Sequence, residues 1–214
     1  MIRKIKFLGM ALIAVFAMSA VGVSAASAVE FHSEGSPVSL TGTQEGESNG
    51  FDIQFGETKC KTVDYNGTTP SGVTTETTIT LTPKYELCTF AGVATTIDTN
   101  GCTFVIHITG TDQGTVTVEC PAGQEITVTG GTKCIVHIPP QDVGEITLTN
   151  IGTGTTREIT AHLNGINAIT YSQTPGTGVG KCTALTTGAG KFTGTATITG
   201  ETDPGGVHTG LFFT

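Results

Sequence analysis

Six short runs of this chain alternate apolar and polar residues with a period of two. They are TTITLTP (77–83), TVTVEC (115–120), EITVTG (125–130), EITLTN (145–150), REITAHL (157–163) and TATITG (195–200). Val, Ile or Leu falls on one face of each run and Thr or Glu on the other, as in a strand with one buried and one wet face. Helical spacing of apolar residues is missing beyond residue 28. Turn dipeptides separate the runs: Asn66-Gly67, Asn100-Gly101, Gly130-Gly131, Asn164-Gly165 and Pro204-Gly205. About a dozen short strands at this spacing predict an all-β fold, an antiparallel β-sandwich or a partly closed β-barrel. Thirty glycines and a wealth of threonine agree with many turns between wet-faced strands.

The start of the chain has a different character. Arg3, Lys4 and Lys6 precede an apolar run from Phe7 to about Val23, and small residues end it at Ala26-Ser27-Ala28. A basic start, an apolar middle and an A-x-A exit define a secretory signal peptide. Cleavage is expected after Ala28, with Ala25 as the second choice and an uncleaved membrane anchor as the alternative. The chain then divides into a signal peptide (1–28) and a single all-β domain (29–214) with a mobile leader over about 29–36. Removing the signal peptide takes away three of ten basic residues and none of eighteen acidic ones, so the formal net charge moves from −8 to −11. Such a chain should repel nucleic acid and anionic lipid, and no membrane association is expected after cleavage. Its carboxylates are scattered, as solubility requires, and form no calcium-binding run.

Cys60, Cys88, Cys102, Cys120, Cys134 and Cys182 make an even count, which in an exported chain favours disulfides. The closest cysteines are 14 positions apart, too far for the short ligand pairs of a zinc site or for a C-x-x-C redox pair. Six cysteines allow about 15 connectivities, and the sequence does not choose among them. Turn signals before Cys102 and Cys134 suggest loops that fold back on themselves, pairing Cys88 with Cys102 and Cys120 with Cys134. Cys60 would then join Cys182. Each of the two loops hands over to a histidine-bearing strand, TFVIHI or IVHI, an echo too short to divide the domain.

Candidate chemistry is sparse. His107 and His137 would meet only if their strands were neighbours, and no third metal ligand is evident, so no metal and no cofactor are expected. His32, His162 and His208 are isolated. Most serines lie in the signal peptide or between Ser33 and Ser48, and no catalytic residue is assigned. A carboxylate pair needs only to meet in space, which leaves a hydrolase as a third reading. Phe51, Phe55, Phe90, Phe104 and Phe192 alternate like core residues. That leaves Tyr65, Tyr85 and Tyr171 as the aromatic candidates for a ligand platform.

The stretch TPKYELCTFAG, followed by NGC and a strand, with KC-initiated strands near both ends, resembles a loose group of exported bacterial β-proteins of unassigned function. The resemblance implies export and disulfides, and no binding residue. The sequence therefore leads to a non-enzymatic structural or interaction protein of the cell envelope or extracellular space. Its expected partner is an envelope polymer or an extracellular protein. The alternative is a polysaccharide- or ligand-binding module, which an aromatic cluster around the tyrosines would favour.

Overall fold

A computed structural model describes residues 29–35, 38–46, 49–69, 74–130, 134–175, 184–202 and 206–214. The expected signal peptide, Cys182 and the Pro204-Gly205 turn lie outside these residues. After β1 (Phe31–Ser33) the chain lays down eight antiparallel staves. The first is β2 (Ser39–Gln44) continued by β3 (Gly50–Ile53), and the second is β4 (Gly56–Thr68). A short β5 (Thr75–Glu76) precedes the third, β6 (Thr78–Phe90). The fourth is β7 (Val93–Asp98) with β8 (Thr103–Ile108), and the fifth is β9 (Gln113–Glu119) with β10 (Ile126–Gly130). The sixth is β11 (Ile135–Ile138) with β12 (Gln141–Ile151). A 3-10 turn at Gly154–Thr156 leads into the seventh, β13 (Glu158–Thr174), and the eighth is β14 (Leu185–Glu201). The chain ends with β15 (His208–Thr209) and β16 (Leu211–Phe213).

Pairing runs through β2, β4, β6, β8, β9, β12, β13 and β14 and returns to β2. A second circuit runs through β3, β4, β6, β7, β10, β11, β13 and β14 and returns to β3. Because β4, β6, β13 and β14 belong to both, the circuits are a lower and an upper tier of one up-and-down barrel. Of the two architectures open to the sequence, the pairing selects the barrel, whose closure leaves its own staves without a free edge. The six alternating runs all fall in strands, with their apolar residues turned inward: Ile146, Leu148, Ile159 and Ile198 are buried in one core cluster. The outer faces of β4 and β6 carry Glu57, Lys59, Lys61, Lys84 and Glu86, all exposed, where a barrel in lipid carries an apolar band. Among the described residues no helix is long and apolar enough to cross a membrane.

Where the tiers meet, the fourth, fifth and sixth staves break between their two strands and the seventh slips register between Leu163 and Ile166. Both described disulfides lie at this waist. Cys60 and Cys88 face each other across β4 and β6, and Cys102 joins Cys120 across the breaks of the fourth and fifth staves. The expected pairs Cys88–Cys102, Cys120–Cys134 and Cys60–Cys182 are therefore not formed. Cys88 lies opposite Thr95, whereas Phe104 lies opposite Leu81, so Cys102 stands about five residues of β6 away from Cys88, roughly 17 Å. The Gly130 amide donates to the Cys134 carbonyl at the far end of β10, while Cys120, at the end of β9, is taken by Cys102. Cys134 is itself disulfide-bonded. On chain-entropy grounds, loops of 28 and 18 residues make the two described bridges worth about 3 to 4 kcal/mol each.

Two turn signals are also reassigned. Asn66-Gly67 lies within β4, where a Cβ on Gly67 would meet the Thr80 carbonyl oxygen of β6 at 2.2 Å, so close approach of two strands is what requires the glycine. Asn164-Gly165 lies within β13, at its register slip. The hairpin between the third and fourth staves turns instead at Ala91-Gly92, with φ of 50° and 80°, the paired left-handed conformation that suits the twist of the flanking strands.

The expected mobile leader is tied down. β1 pairs with β16 and β5 in a three-stranded sheet at the lower end, where β13 begins and β14 finishes. Phe31, Leu211 and Phe213 are buried there. The Asn150 side chain pairs with the Phe213 backbone through both amide atoms, at 2.8 and 3.0 Å. The Leu211 amide donates to the Arg157 carbonyl, and the Arg157 guanidinium lies 4.1 Å from the centre of the Phe212 ring. His32 stacks on the other contact of that ring system, with centroids 5.2 Å apart, and bonds to the Thr214 hydroxyl.

Candidate functional site

Alternation along eight staves turns a continuous set of side chains toward the barrel axis, and an eight-stranded barrel is just wide enough for those side chains to fill or to leave room for one small guest. Here room is left. A cavity of about 100 Å³ follows the axis through both tiers. Its walls are Ile, Val, Leu, Ala, Phe and Cys60, apart from four polar side chains, Asn49, Thr58, Tyr65 and Tyr85.

The polar four differ in their freedom. Asn49 is buried and donates to the Gln44 carboxamide oxygen at 3.0 Å, while Gln44 donates to the Cys60 and Lys61 carbonyls at 3.1 and 2.5 Å. This chain of amides fixes the junction between β2 and β3 against β4. Tyr65 continues the inward alternation of Val63 on β4, and Tyr85 that of Ile79, Leu81 and Pro83 on β6. Burial pushes the Tyr65 phenol well above its ordinary range. Burial and then the neighbouring Tyr65 do the same to Tyr85. Both are therefore neutral around neutral pH and able to donate a hydrogen bond. Tyr171 stands in the upper tier, edge-on to Phe51 at 6.1 Å, and Tyr65 is tilted against Phe104 at 6.3 Å.

Tyr65 and Tyr85 thus stand together at the cavity wall and Tyr171 packs apart from them on Phe51, so the three form no exposed platform. Phe51 is in the core as expected, whereas Phe55 is 40% exposed at the turn between the first two staves. His107 and His137 are kept apart, since His107 lies on β8 of the fourth stave and His137 on β11 of the sixth. His137 instead bonds to Glu125 at 2.6 Å and to the Thr174 hydroxyl at 2.9 Å. His162 bonds to Thr195, and His208 pairs in register with Glu201. No cluster of three metal-ligating side chains occurs among the described residues. The cavity wall contains neither carboxylate nor imidazole among those residues, so it offers a guest apolar contact and neutral hydrogen bonding.

The inward turn of Tyr85 was readable by extending the alternation Ile79, Leu81, Pro83 by one more step. Gln173 was readable in the same way. It follows Ile169 and Tyr171 on the inward face of β13, and it is only 5% exposed. No protein-family model, no curated protein and no solved structure matches this chain.

Proposed function

We propose that this chain is an exported, non-enzymatic binding protein that holds a small apolar molecule, or the apolar part of a larger one, inside its barrel. The observation that carries this reading is the axial cavity with its hydrocarbon walls. An empty apolar cavity of about 150 Å³ is known to take up benzene or xenon, whereas drug-sized ligands occupy about 300 to 1,000 Å³. At about 100 Å³ the barrel suits a single ring or a short chain segment. Burying six carbons at ~0.8 kcal/mol each corresponds to a dissociation constant on the order of 0.1 to 1 mM.

A function on the outer surface has less support. The outward threonines pair with one another: the Thr41 and Thr199 hydroxyls are 2.8 Å apart, and those of Thr160 and Thr197 3.3 Å. Such pairs serve the sheet. A polysaccharide platform would use exposed aromatic rings, and the tyrosines are turned inward. Export is supported by the basic, apolar and small-residue order of the first 28 residues and by the oxidised cysteines.

Titration of the oxidised protein with benzene, followed by methyl NMR, tests the binding. Saturable shifts confined to inward methyl groups such as Ile106, Val118 and Leu163 are expected, and shifts at exposed methyls alone would refute it. For export, protein recovered from outside the cytoplasm should begin at Val29. A chain still starting at Met1 would refute cleavage.

A further inference from the structure

Gln173 is the one described residue whose buried side-chain nitrogen and oxygen both lack a hydrogen-bond partner. A carboxamide withdrawn from water without partners costs on the order of 1 to 3 kcal/mol, so a fold that keeps one there has left a strong recognition element idle. Its location gives that element a use. Gln173 pairs in register with Val136 of β11, and Ile138, two residues along the same inward face, forms part of the cavity wall. Val136 pairs in turn with Val128, which also lines the cavity, so Gln173 belongs to the row of side chains at the upper end of the cavity. Tyr171, the next inward residue below Gln173 on β13, packs edge-on against Phe51, which also lines the cavity.

We propose that Gln173 is the head-group site of the barrel and that the ligand is an uncharged amphiphile. Its apolar end fills the axial cavity, and its head carries both a donor and an acceptor, as a primary amide or a protonated carboxylic acid does. Such a head pairs with the Gln173 carboxamide through two antiparallel hydrogen bonds, which gives both its nitrogen and its oxygen a partner. A carboxylate would fit poorly, because none of the basic side chains lines the cavity among the described residues and an isolated buried charge is costly. This inference rests on the cavity reading and adds to it the chemistry of the head.

The test compares benzamide with ethylbenzene, two guests of one ring and similar length that differ in the head, on the wild-type oxidised protein and on Gln173→Leu. The ratio of benzamide to ethylbenzene affinity should fall about tenfold in Gln173→Leu, the loss of about one buried hydrogen bond's worth of preference. Gln173→Met, which keeps the unbranched side chain, should lose the preference equally. Both variants should also melt at a higher temperature than wild type, but a purely structural role would give that result too, and the affinity ratio is the deciding measurement. An unchanged ratio with ethylbenzene still bound overturns the head-group site and leaves the cavity reading intact. If neither guest binds the wild type, the cavity reading fails and this inference with it.

Discussion

Two carboxamides stand at opposite ends of the barrel and are treated in opposite ways. At the lower end Asn150 spends its amide nitrogen and oxygen on the Phe213 backbone, acting as an extra strand residue that fastens the C-terminus. At the upper end Gln173 spends neither. The lower end is built for closure, with β1 and β16 paired, an arginine over Phe212 and three large apolar side chains buried beneath. The upper tier combines an idle buried amide with the Tyr171–Phe51 pair beside a cavity. A polar group that is satisfied stabilises the fold, and one that is buried and unsatisfied is available for recognition.

The largest way to break this contrast is at the lower clasp. Phe213→Ala removes a 4%-exposed ring from the core and should cost about 3 to 5 kcal/mol in chemical denaturation. A cost below about 1 kcal/mol would show that the clasp is ornamental. Next comes the waist that joins the ends. Replacing Cys60 and Cys88 together by Ala should cost about 3 to 4 kcal/mol. If the denaturation midpoint does not move, the bridge does not hold the two tiers together.

Smaller effects separate the two carboxamides directly. Asn150→Ala should lose about 1 to 3 kcal/mol, whereas Gln173→Leu should gain about 1 kcal/mol. Equal signs for the two would erase the comparison. The tyrosines sharpen it through pH. Their folded-state values are raised above the ordinary 10.0, so the unfolded chain ionises first as pH rises. Stability is then whole below about pH 10 and falls above it, by up to ~1.4 kcal/mol per pH unit for each tyrosine. Melting temperatures between pH 9 and 11 should show the decline, and Tyr65→Phe should lessen it. A decline identical in wild type and Tyr65→Phe would mean that the Tyr65 phenol is not held neutral by burial.

Much of the fold could be read from alternation. Val, Ile and Leu in the six runs face inward because burial rewards them there, and the strand period makes that visible in sequence. Closure could not be read, because a period of two is the same in a sandwich and in a barrel. The disulfide pairs failed for a related reason. Asn100-Gly101 reads as the end of a folded-back loop, yet it is an irregularity inside the fourth stave, and the chain turns at Ala91-Gly92, close to Cys88. Cys102 is therefore carried along the stave to meet Cys120. Tyr65, Tyr85 and Gln173 carry polar atoms, which pointed outward by composition while their positions in the alternation pointed in. Position decided, and the resulting conflict between residue type and location marks the candidate site.

The central claim is that the barrel interior takes a guest, and diffraction from crystals of the oxidised protein under xenon pressure tests it most directly. Xenon density is expected on the barrel axis, bounded by Tyr65, Phe104 and Leu163. A barrel that stays empty while xenon occupies sites elsewhere on the molecule would contradict the account.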